Sequence, residues 1–155
     1  MPGIRPVTPA DIPQLVVLGA ALAAESPFYS ALTYDADKTA AFIAEAADTT
    51  VTHITGWVSE EDGAVIAFIM AYTSEHPFFS DTYAWDGTMY VAPEYRGKCR
   101  TTVSALVATY VEWASQWGGP IMFGVTTGIN ADGVEGLLQR HGFETVGRSM
   151  QYVRR

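Results

Sequence analysis

Residues 89–102 read MYVAPEYRGKCRTT, and the rest of the fold can be built outward from them. Tyr90 and Val91 are typical of a strand, and Pro93 ends that strand because proline cannot donate to the ladder. From Thr101 onward, apolar residues recur every three or four positions, which predicts a helix up to residue 117. A strand, a short basic loop and a helix therefore follow one another directly, as in an α/β domain.

The loop between this strand and this helix has the features of an anion site. A turn that enters a helix presents free backbone N–H groups at the positive end of the helix dipole. Arg96, Lys98 and Arg100 add positive charge, and Thr101 or Thr102 can cap the helix or donate to a phosphate oxygen. The pattern has neither Walker A spacing nor a three-glycine dinucleotide fingerprint. It predicts a site for a small polyanion, with an ordinary solvated loop as the alternative.

The remaining periodicities complete one domain over residues 1–155. In chain order, we predict a strand at 4–7, helices at 9–24 and 36–47, a hairpin of strands 51–58 and 64–72 around a turn at 60–63, a strand at 82–91, the helix at 101–117, a strand at 121–125, a helix at 130–141 and one or two strands within 143–153. Gly87 lies inside a predicted strand, which indicates a bulge or a close backbone approach. No linker or repeat divides the chain, so we expect a mixed α/β sheet.

Composition and charge narrow the classes of function. The chain has 155 residues, is 48% hydrophobic and carries a net charge of −8. Residues 1–95 hold 13 acidic and 2 basic side chains, whereas residues 96–155 hold 4 acidic and 7 basic ones. An acidic surface repels nucleic acid, so nucleic-acid binding is not expected. The acidic first part of the chain would instead attract a cationic partner.

The positions of the cysteine and histidine residues predict no metal centre, and the hydropathy of the chain predicts no membrane protein. Cys99 is the single cysteine and the three histidines are dispersed, which excludes an intrachain disulfide and favours no metal site. A thiol beside cations at a helix N-terminus can be reactive, but no Cys-His-Asn arrangement supports a nucleophile here, so Cys99 is interpreted as structural. The longest apolar run, 63–72, is about half of a membrane span. We therefore expect a cytoplasmic protein without a secretory signal.

Three segments together resemble the GNAT superfamily of acetyl-CoA-dependent N-acetyltransferases. Residues 4–11 look like the opening strand and helix start of that family, 89–98 like its strand 4 and pyrophosphate loop, and 137–143 like its late helix-to-strand motif. The likeness covers nearly the whole chain, and its central segment is the most specific part. It implies a mixed, mostly antiparallel sheet flanked by about four helices, with strands 4 and 5 splayed apart.

The resemblance also implies a cosubstrate and its ligands. Acetyl-CoA would lie between the splayed strands, without a metal, and its acetyl group would pass directly to a primary amine of a small-molecule or peptide acceptor. The implied acetyl-CoA ligands are the backbone of Met89, Tyr90 and Val91 for pantetheine, the loop Arg96, Gly97, Lys98, Cys99, Arg100, Thr101 and Thr102 for pyrophosphate, and Asn130, which lies one residue from the motif position. A homodimer through the C-terminal strands is a further implication.

Two departures from the family pattern keep a second reading open. Cys99 and Thr101 stand where the family loop has its later small residues, and Leu138 stands where many members have a tyrosine that acts as general acid. The alternative is a catalytically inactive GNAT-like domain that binds CoA or a protein partner. A purely structural module is the third reading.

The transfer itself needs a base, a carbonyl donor and an acid for the thiolate. Asp86 beside Gly87 is the first candidate base, Glu75 or His76 is the second, and water is the third. A backbone N–H near Tyr90 or Val91 would polarise the carbonyl. Two tyrosines, Tyr90 and Tyr152, are the candidate acids.

Overall fold

The computed structural model describes residues 3–154. In chain order its elements are β1 (Gly3–Pro6), α1 (Ile12–Glu25), α2 (Ala36–Ala47), β2 (Ile54–Glu61), β3 (Ala64–Glu75), β4 (Thr82–Val91), α3 (Arg100–Ser115), β5 (Ile121–Met122) and α4 (Ala131–Arg140), with 3₁₀ turns at Pro9–Asp11, Tyr29–Ala31 and Pro93–Tyr95. The strands lie in the order β1-β2-β3-β4-β5. Every neighbouring pair is antiparallel except β4 and β5, which are parallel. The predicted mixed, mostly antiparallel sheet with four helices is confirmed.

The sheet is covered on both faces because its strands carry apolar side chains on both. On one face, Leu15 and Leu22 of α1 and Ile43 of α2 pack against Phe68 of β3. On the other face, Leu106, Tyr110 and Ala114 of α3 are fully buried against residues of β2, β3 and β4. Helix α4 packs on α3 through Leu137 and Leu138, which contact Val107. Two helical layers therefore enclose one sheet.

The hairpin between β2 and β3 turns in two residues rather than four. Asp62 and Gly63 have φ values of 50° and 82°, as a type I′ turn requires. Glu60 and Glu61 therefore remain in β2 and pair with Val65 and Ala64. The turn predicted at 60–63 is wrong in its first half because Asp-Gly alone supplies the two left-handed residues.

Strand β4 has the predicted bounds and the predicted bulge. Met70 pairs with Thr88 and Ala71 pairs with Asp86, so Gly87 is an extra residue without an opposite partner. A Cβ at position 87 would lie 3.4 Å from the Met70 carbonyl oxygen, so a larger residue would crowd β3. The bulge shifts the pairing of Asp86 relative to the second half of β4.

Strand β5 is shorter than the predicted 121–125. It pairs with β4 only at Ala84 with Ile121 and at Trp85 with Met122. Beyond these pairs the two chains diverge, and the side chain of Asp86, rather than a backbone carbonyl, accepts the N–H of Gly124 at 2.6 Å. The predicted splay of strands 4 and 5 is therefore confirmed, and it begins at Asp86.

The strands predicted within 143–153 are absent from the described part of the chain. Residues 143–154 have no regular secondary structure. Phe143 still packs against the α3–α4 layer, but Val146, Met150, Tyr152 and Val153 are all at least 70% exposed. A strand needs a partner edge, and β5 offers only two residues, so the alternating pattern of this segment is not enough to extend the sheet.

The first helix is joined to the sheet by a buried carboxylate. Asp11 is 3% exposed and accepts two hydrogen bonds from the Arg5 guanidinium, both 2.8 Å long. It also accepts the Thr8 N–H at 2.8 Å. The Arg5 contact, followed by the Thr8 contacts, lowers the pKa of Asp11 to about 2 against the opposing effect of burial.

We expect Asp11→Asn to lower the free energy of unfolding at pH 7 by about 2 kcal/mol. A carboxyl with a lowered pKa stabilises the fold above its unfolded value of 3.8, and that stability is lost as the pH falls through about 2. Urea unfolding at pH 7 and pH 2 measures both effects. The gap between variant and wild type should close at pH 2. Glu112→Gln, on the exposed side of α3, is the control, and a gap that persists at pH 2 would contradict the role of the charge.

Candidate active site

The divergence of β4 and β5 opens a cleft of about 700 Å³ through the sheet. One wall is the second half of β4, and the other is the segment 123–127 that follows β5. The N-terminus of α3 and one face of α4 close one end, while Leu22 and Tyr29 close the other face. The cleft thus joins the basic loop to the surface below α1.

Most of the residues proposed from the sequence meet in this cleft. Those that line it are Asp86, Met89, Tyr90, Val91, Arg96, Gly97, Cys99, Arg100 and Asn130. Lys98 is exposed on the loop, Thr102 is buried to 5%, and Thr101 lines a shallow neighbouring groove instead. Glu75, His76 and Tyr152 do not line the cleft. Tyr152 is 87% exposed in the C-terminal segment.

The cleft edge of β4 offers backbone hydrogen-bonding groups. On that edge, the strand pairs within residues 3–154 only through Ala84 and Trp85. The stretch from Thr88 to Val91 therefore has no strand partner on this side, although its other edge is fully paired with β3. An extended ligand with amide groups can take the place of a neighbouring strand here.

The basic loop presents its backbone to the same cleft. Gly97 has a φ of 78°, and a Cβ at this position would meet no atom within 4 Å. Helix α3 begins at Arg100, so the N–H groups of its first turn have no partner inside the helix. Cys99 is only 6% exposed, and burial raises the pKa of its thiol. Because Cys99 is buried and Thr101 lies in the groove, neither of these larger residues covers the loop.

Arg96 is held by a carboxylate that the sequence analysis did not select. Glu25, the last residue of α1, accepts hydrogen bonds from both terminal nitrogens of Arg96, one of them at 2.7 Å. The Nε of Arg96 donates to the Val91 carbonyl at 3.0 Å. The guanidinium also lies 5.1 Å from the centre of the Tyr90 ring. Arg96 thereby connects the loop to β4 and α1 at once.

Tyr90 belongs to the same group of side chains. It is 4% exposed and donates its hydroxyl proton to Glu25 at 2.8 Å. Burial and the Glu25 carboxylate raise the pKa of Tyr90 to about 12, while the Arg96 contact lowers the pKa of Glu25. The hydroxyl therefore keeps its proton in a hydrogen bond with Glu25. The 65-residue separation of Tyr90 and Glu25 explains why no local pattern indicated this contact.

Asp86 lies where the two strands part. Its cross-strand partner is Ala71, which packs on the α3 face of the sheet, so the carboxylate points to that face. Asp86 also contributes to the raised pKa of Tyr110 on α3, although burial is the larger cause. Tyr110 in turn donates to the Met122 carbonyl at 2.5 Å. This contact holds β5 in place beside Asp86.

The environment of Asp86 favours its protonated form. Burial raises the pKa of this carboxyl to about 6, and the N–H of Gly124 only partly opposes that rise. No arginine or lysine forms an ion pair with it in the described residues. A carboxylate with a pKa near neutrality is suited to accept a proton from a bound substrate.

Helix α4 and the residue before it contribute the remaining positions considered in the sequence analysis and one further arginine. Arg140, in the last turn, lines both the cleft and the groove beside Arg100. Its position on α4 gave no separate signal in the sequence. Leu138 is 5% exposed and packs on Val107, so the family's usual tyrosine position is part of the core here. Asn130 precedes α4 with a φ of 48° and its side chain covers Gly133.

Within residues 3–154, no three side chains of histidine, cysteine, aspartate or glutamate are grouped so that they could hold a metal ion. None of the helices in this range has the length and hydropathy needed to span a bilayer.

The fold and the cleft agree with the comparison to known proteins. The model of the acetyltransferase (GNAT) family matches residues 20–143, which is most of the chain. The chain therefore belongs to the acetyltransferase (GNAT) family, whose members are acyltransferases. No curated protein sequence matches it.

Solved structures of acetyltransferases share the fold at low sequence identity. The aminoglycoside N-acetyltransferase AAC(6′)-Iy, solved with the bisubstrate analogue CoA-S-monomethyl-acetylneamine, is 18% identical with a TM-score of 0.72, over 100% of this chain and 99% of that one. AAC(6′)-Ih from Acinetobacter baumannii is 16% identical with a TM-score of 0.69, over 99% and 97%. A ribosomal-protein-alanine N-acetyltransferase from Brucella melitensis is 16% identical with a TM-score of 0.64, over 98% and 99%. At these identities the likeness concerns the fold alone.

Proposed function

We propose that this protein transfers the acetyl group of acetyl-CoA directly to a primary amine, with Asp86 as the general base. The observation that carries the proposal is the position of Asp86. Its carboxylate lies at the start of the splay between β4 and β5 and has a pKa of about 6. The other end of the same cleft is the basic N-terminus of α3.

The residues of the cleft fit acetyl-CoA. The N–H groups at the start of α3, with Arg100 and Arg140, supply the donors and the charge that a pyrophosphate needs. The unpaired edge of β4 supplies backbone partners for the amides of pantetheine. Because Gly87 is bulged, the cross-strand partners of Asp86 and Val91 lie four positions apart on β3, which corresponds to roughly 13 Å along a strand. A long, thin cosubstrate can therefore extend from the loop to Asp86.

The proposed reaction balances with Asp86 and the thiolate as proton acceptors. Asp86 removes one proton from the acceptor ammonium, which leaves a neutral amine. The nitrogen lone pair then forms the C–N bond while the C–S bond of the thioester breaks and sulfur leaves as a thiolate. The second proton of the amine passes to that thiolate. Backbone N–H groups on the free edge of β4 polarise the thioester carbonyl.

We assign Tyr90 a positioning role in this scheme. Its hydroxyl proton is donated to Glu25, beside Arg96 and the loop, whereas Asp86 lies near the other end of β4. Tyr90, Glu25 and Arg96 together fix the loop against β4 and α1. The general acid role of Tyr90 stays a prediction, and the bond to Glu25 disfavours it.

An amine acceptor is supported by charge and by the names of the structural neighbours. The neighbours include enzymes named for aminoglycosides and for a ribosomal-protein alanine. Both names denote acceptors that present an amino group. The net charge of −8 would attract such a cation over distance. The homodimer suggested by the resemblance stays a prediction.

Calorimetric titration of acetyl-CoA tests the loop. We expect Arg100→Ala to weaken acetyl-CoA binding about tenfold at low ionic strength, because one charge at the phosphates is lost. Lys98→Ala is the matched control: it removes the same charge from the same loop but from a residue that does not line the cleft. Equal weakening by both variants would contradict the assigned site.

Release of CoA thiol with added amines tests turnover. Acceptor-dependent release supports the proposal. Saturable acetyl-CoA binding without release for any amine would instead support the inactive, CoA-binding alternative, which the buried Leu138 favours. Absence of binding by a folded protein would exclude both.

A further inference from the structure

The acceptor end of the cleft is built from aromatic side chains on two adjacent strands. Tyr72 of β3 and Trp85 of β4 are cross-strand partners, and both line the cleft. Tyr83 stacks on Trp85, with ring centroids 6.3 Å apart and planes inclined by 13°. Tyr72 and Trp85 form a platform, which we call the aromatic platform, on the α1 side of the sheet, and Tyr83 supports Trp85 without lining the cleft itself.

One further aromatic side chain that lines the cleft, Tyr29, is held in place by hydrogen bonds. Tyr29 lies in the connection between α1 and α2, and its hydroxyl oxygen is 3.0 Å from the hydroxyl oxygen of Thr126. Ser26, fully buried, donates to the Thr127 carbonyl at 2.5 Å. These contacts fasten the segment after β5 to the end of α1. Tyr29 therefore lines the same cleft as Tyr72 and Trp85, with its position held by these contacts.

The carboxylates of the cleft are few and unevenly placed. Among the described residues that line it, only Asp86 and Asp132 are acidic. Asp132 belongs to the first turn of α4, away from the aromatic platform. Glu25 lies beside Arg96 and the loop, and its two oxygens are bound to Arg96 and Tyr90. Within residues 3–154, Asp86 is thus the single cleft-lining carboxylate available to an acceptor at this end.

This distribution does not suit a polycation. Each ammonium group beyond the reacting one would be desolvated without a carboxylate partner, and apart from Asp86 and Asp132 the charged residues that line the cleft are arginines. The acidic residues of the first 95 positions other than Asp86 do not line the cleft and act on an acceptor only through the long-range field. A ring, in contrast, can stack on Trp85 and Tyr72 without any charged partner.

Trp85 and Asp86 lie on opposite faces of the sheet, and this arrangement limits the distance between the ring and the amino group of an acceptor. Consecutive strand residues point to opposite faces of the sheet. Trp85 pairs with Tyr72 on the α1 face, whereas Asp86 pairs with Ala71 on the α3 face. The splay joins the two faces at this point. An amino group on a short chain can reach Asp86 through the splay while its ring remains on the aromatic platform.

We propose that the acceptor is a monoamine with an aromatic ring two or three carbons from its amino group, bound by the aromatic platform. The assignment rests on the proposed acetyltransferase function and names the substrate class of that site. It sets this chain apart from neighbours whose names denote aminoglycosides, which are polyamines.

The first test compares amines at saturating acetyl-CoA, with the full chain and release of CoA thiol as the readout. We expect kcat/KM for 2-phenylethylamine to exceed the values for n-hexylamine, spermidine and kanamycin by about tenfold or more. A preference for spermidine or kanamycin would overturn the inference and leave the acetyltransferase function standing.

The second test removes the ring of Trp85. In Trp85→Leu we expect KM for 2-phenylethylamine to rise about tenfold, with the KM values for n-hexylamine and acetyl-CoA within threefold of wild type. Phe78→Leu, at an 86% exposed aromatic residue outside the cleft, is the control and should change none of them. An equal effect of Trp85→Leu on both amines would overturn the role of the platform.

A binding measurement separates failure of this inference from failure of the proposed function. If no amine is acetylated, the chain saturated with CoA is titrated with 2-phenylethylamine and with spermidine in the calorimeter. Tighter binding of 2-phenylethylamine, lost in Trp85→Leu, supports the aromatic site even without turnover. Equal or absent binding overturns it.

Discussion

Replacing Asp86 by asparagine should lower kcat for amine acetylation by about 10²-fold to 10³-fold at pH 7.5. Asparagine keeps an oxygen that can accept the Gly124 N–H, so the shape of the splay is retained. It cannot accept a proton from the substrate ammonium. Binding of acetyl-CoA, measured by calorimetry, should therefore remain within threefold of the wild-type value.

The pH dependence gives a second readout for the same variant. Because burial raises the pKa of Asp86 in the free protein to about 6, kcat/KM of the wild type for the amine should fall as the pH drops through 6. In Asp86→Asn this limb should be absent. A purely structural Asp86 would leave the pH profile of the residual activity unchanged.

Stability should move in the opposite direction to activity. A carboxyl whose folded pKa is raised from 3.8 to about 6 is destabilising once it ionises, and this cost develops between those two pH values. Above pH 6 it amounts to about 3 kcal/mol at most. Asp86→Asn should therefore unfold at a higher urea concentration than the wild type at pH 8, but not at pH 4.

A second carboxylate of the cleft serves as the control for these measurements. Asp132→Asn removes an exposed charge from the first turn of α4 and should change kcat by less than threefold. Should Asp86→Asn retain wild-type kcat, or should Asp132→Asn lose as much, the base would have to be water or another group.

The fold could be predicted from the sequence where a local residue pattern directly reflects a constraint on the backbone. Strand β4 has its predicted bounds because Pro93 and the residues before Thr82 cannot extend the ladder. The bulge at Gly87 was predictable because an isolated glycine in a strand marks such a position. The prediction of strands after residue 143 was wrong. Alternation of apolar and polar residues shows which face of a strand would be buried, but it does not show that a neighbouring strand is available for pairing.

Only the part of the candidate site that is contiguous in sequence could be predicted. The loop residues Gly97 and Arg100 follow from a strand–turn–helix pattern that is contiguous in sequence. Glu25 contacts Arg96 across 71 positions, and no spacing rule connects the end of α1 to the loop. The pairing of Trp85 with Tyr72 depends on register, which the bulge and the Asp62-Gly63 turn determine together.

Glycine 119 should be the most sensitive small residue of the fold. It precedes β5, and a Cβ at this position would lie 2.9 Å from the carbonyl carbon of Thr82 and closer still to its oxygen. Both neighbours are backbone, so neither can move aside without separating β5 from β4. The Ala84 N–H bond to the Pro120 carbonyl, 3.0 Å long, lies beside this contact.

We therefore expect Gly119→Ala to lower the free energy of unfolding by about 3 kcal/mol or more, since overpacking against backbone costs at least as much as in a core. Urea unfolding measures the loss. Gly147→Ala, where a Cβ meets nothing within 4 Å, is the matched control and should be neutral.

The same change should also reach the active site, because within residues 3–154 the pairs Ala84 with Ile121 and Trp85 with Met122 are the only ladder that holds the closed end of the splay. If they separate, loss of the Gly124 N–H would by itself raise the pKa of Asp86, but burial is the larger cause of the raised value, so the greater hydration of the carboxylate lowers the pKa towards the ordinary value. The acid limb of kcat/KM should then shift to lower pH in the folded fraction of Gly119→Ala. A destabilised variant with an unchanged limb would show that β5 and Asp86 are not coupled, and that the splay is maintained by α3 through the bond of Tyr110 to Met122 alone.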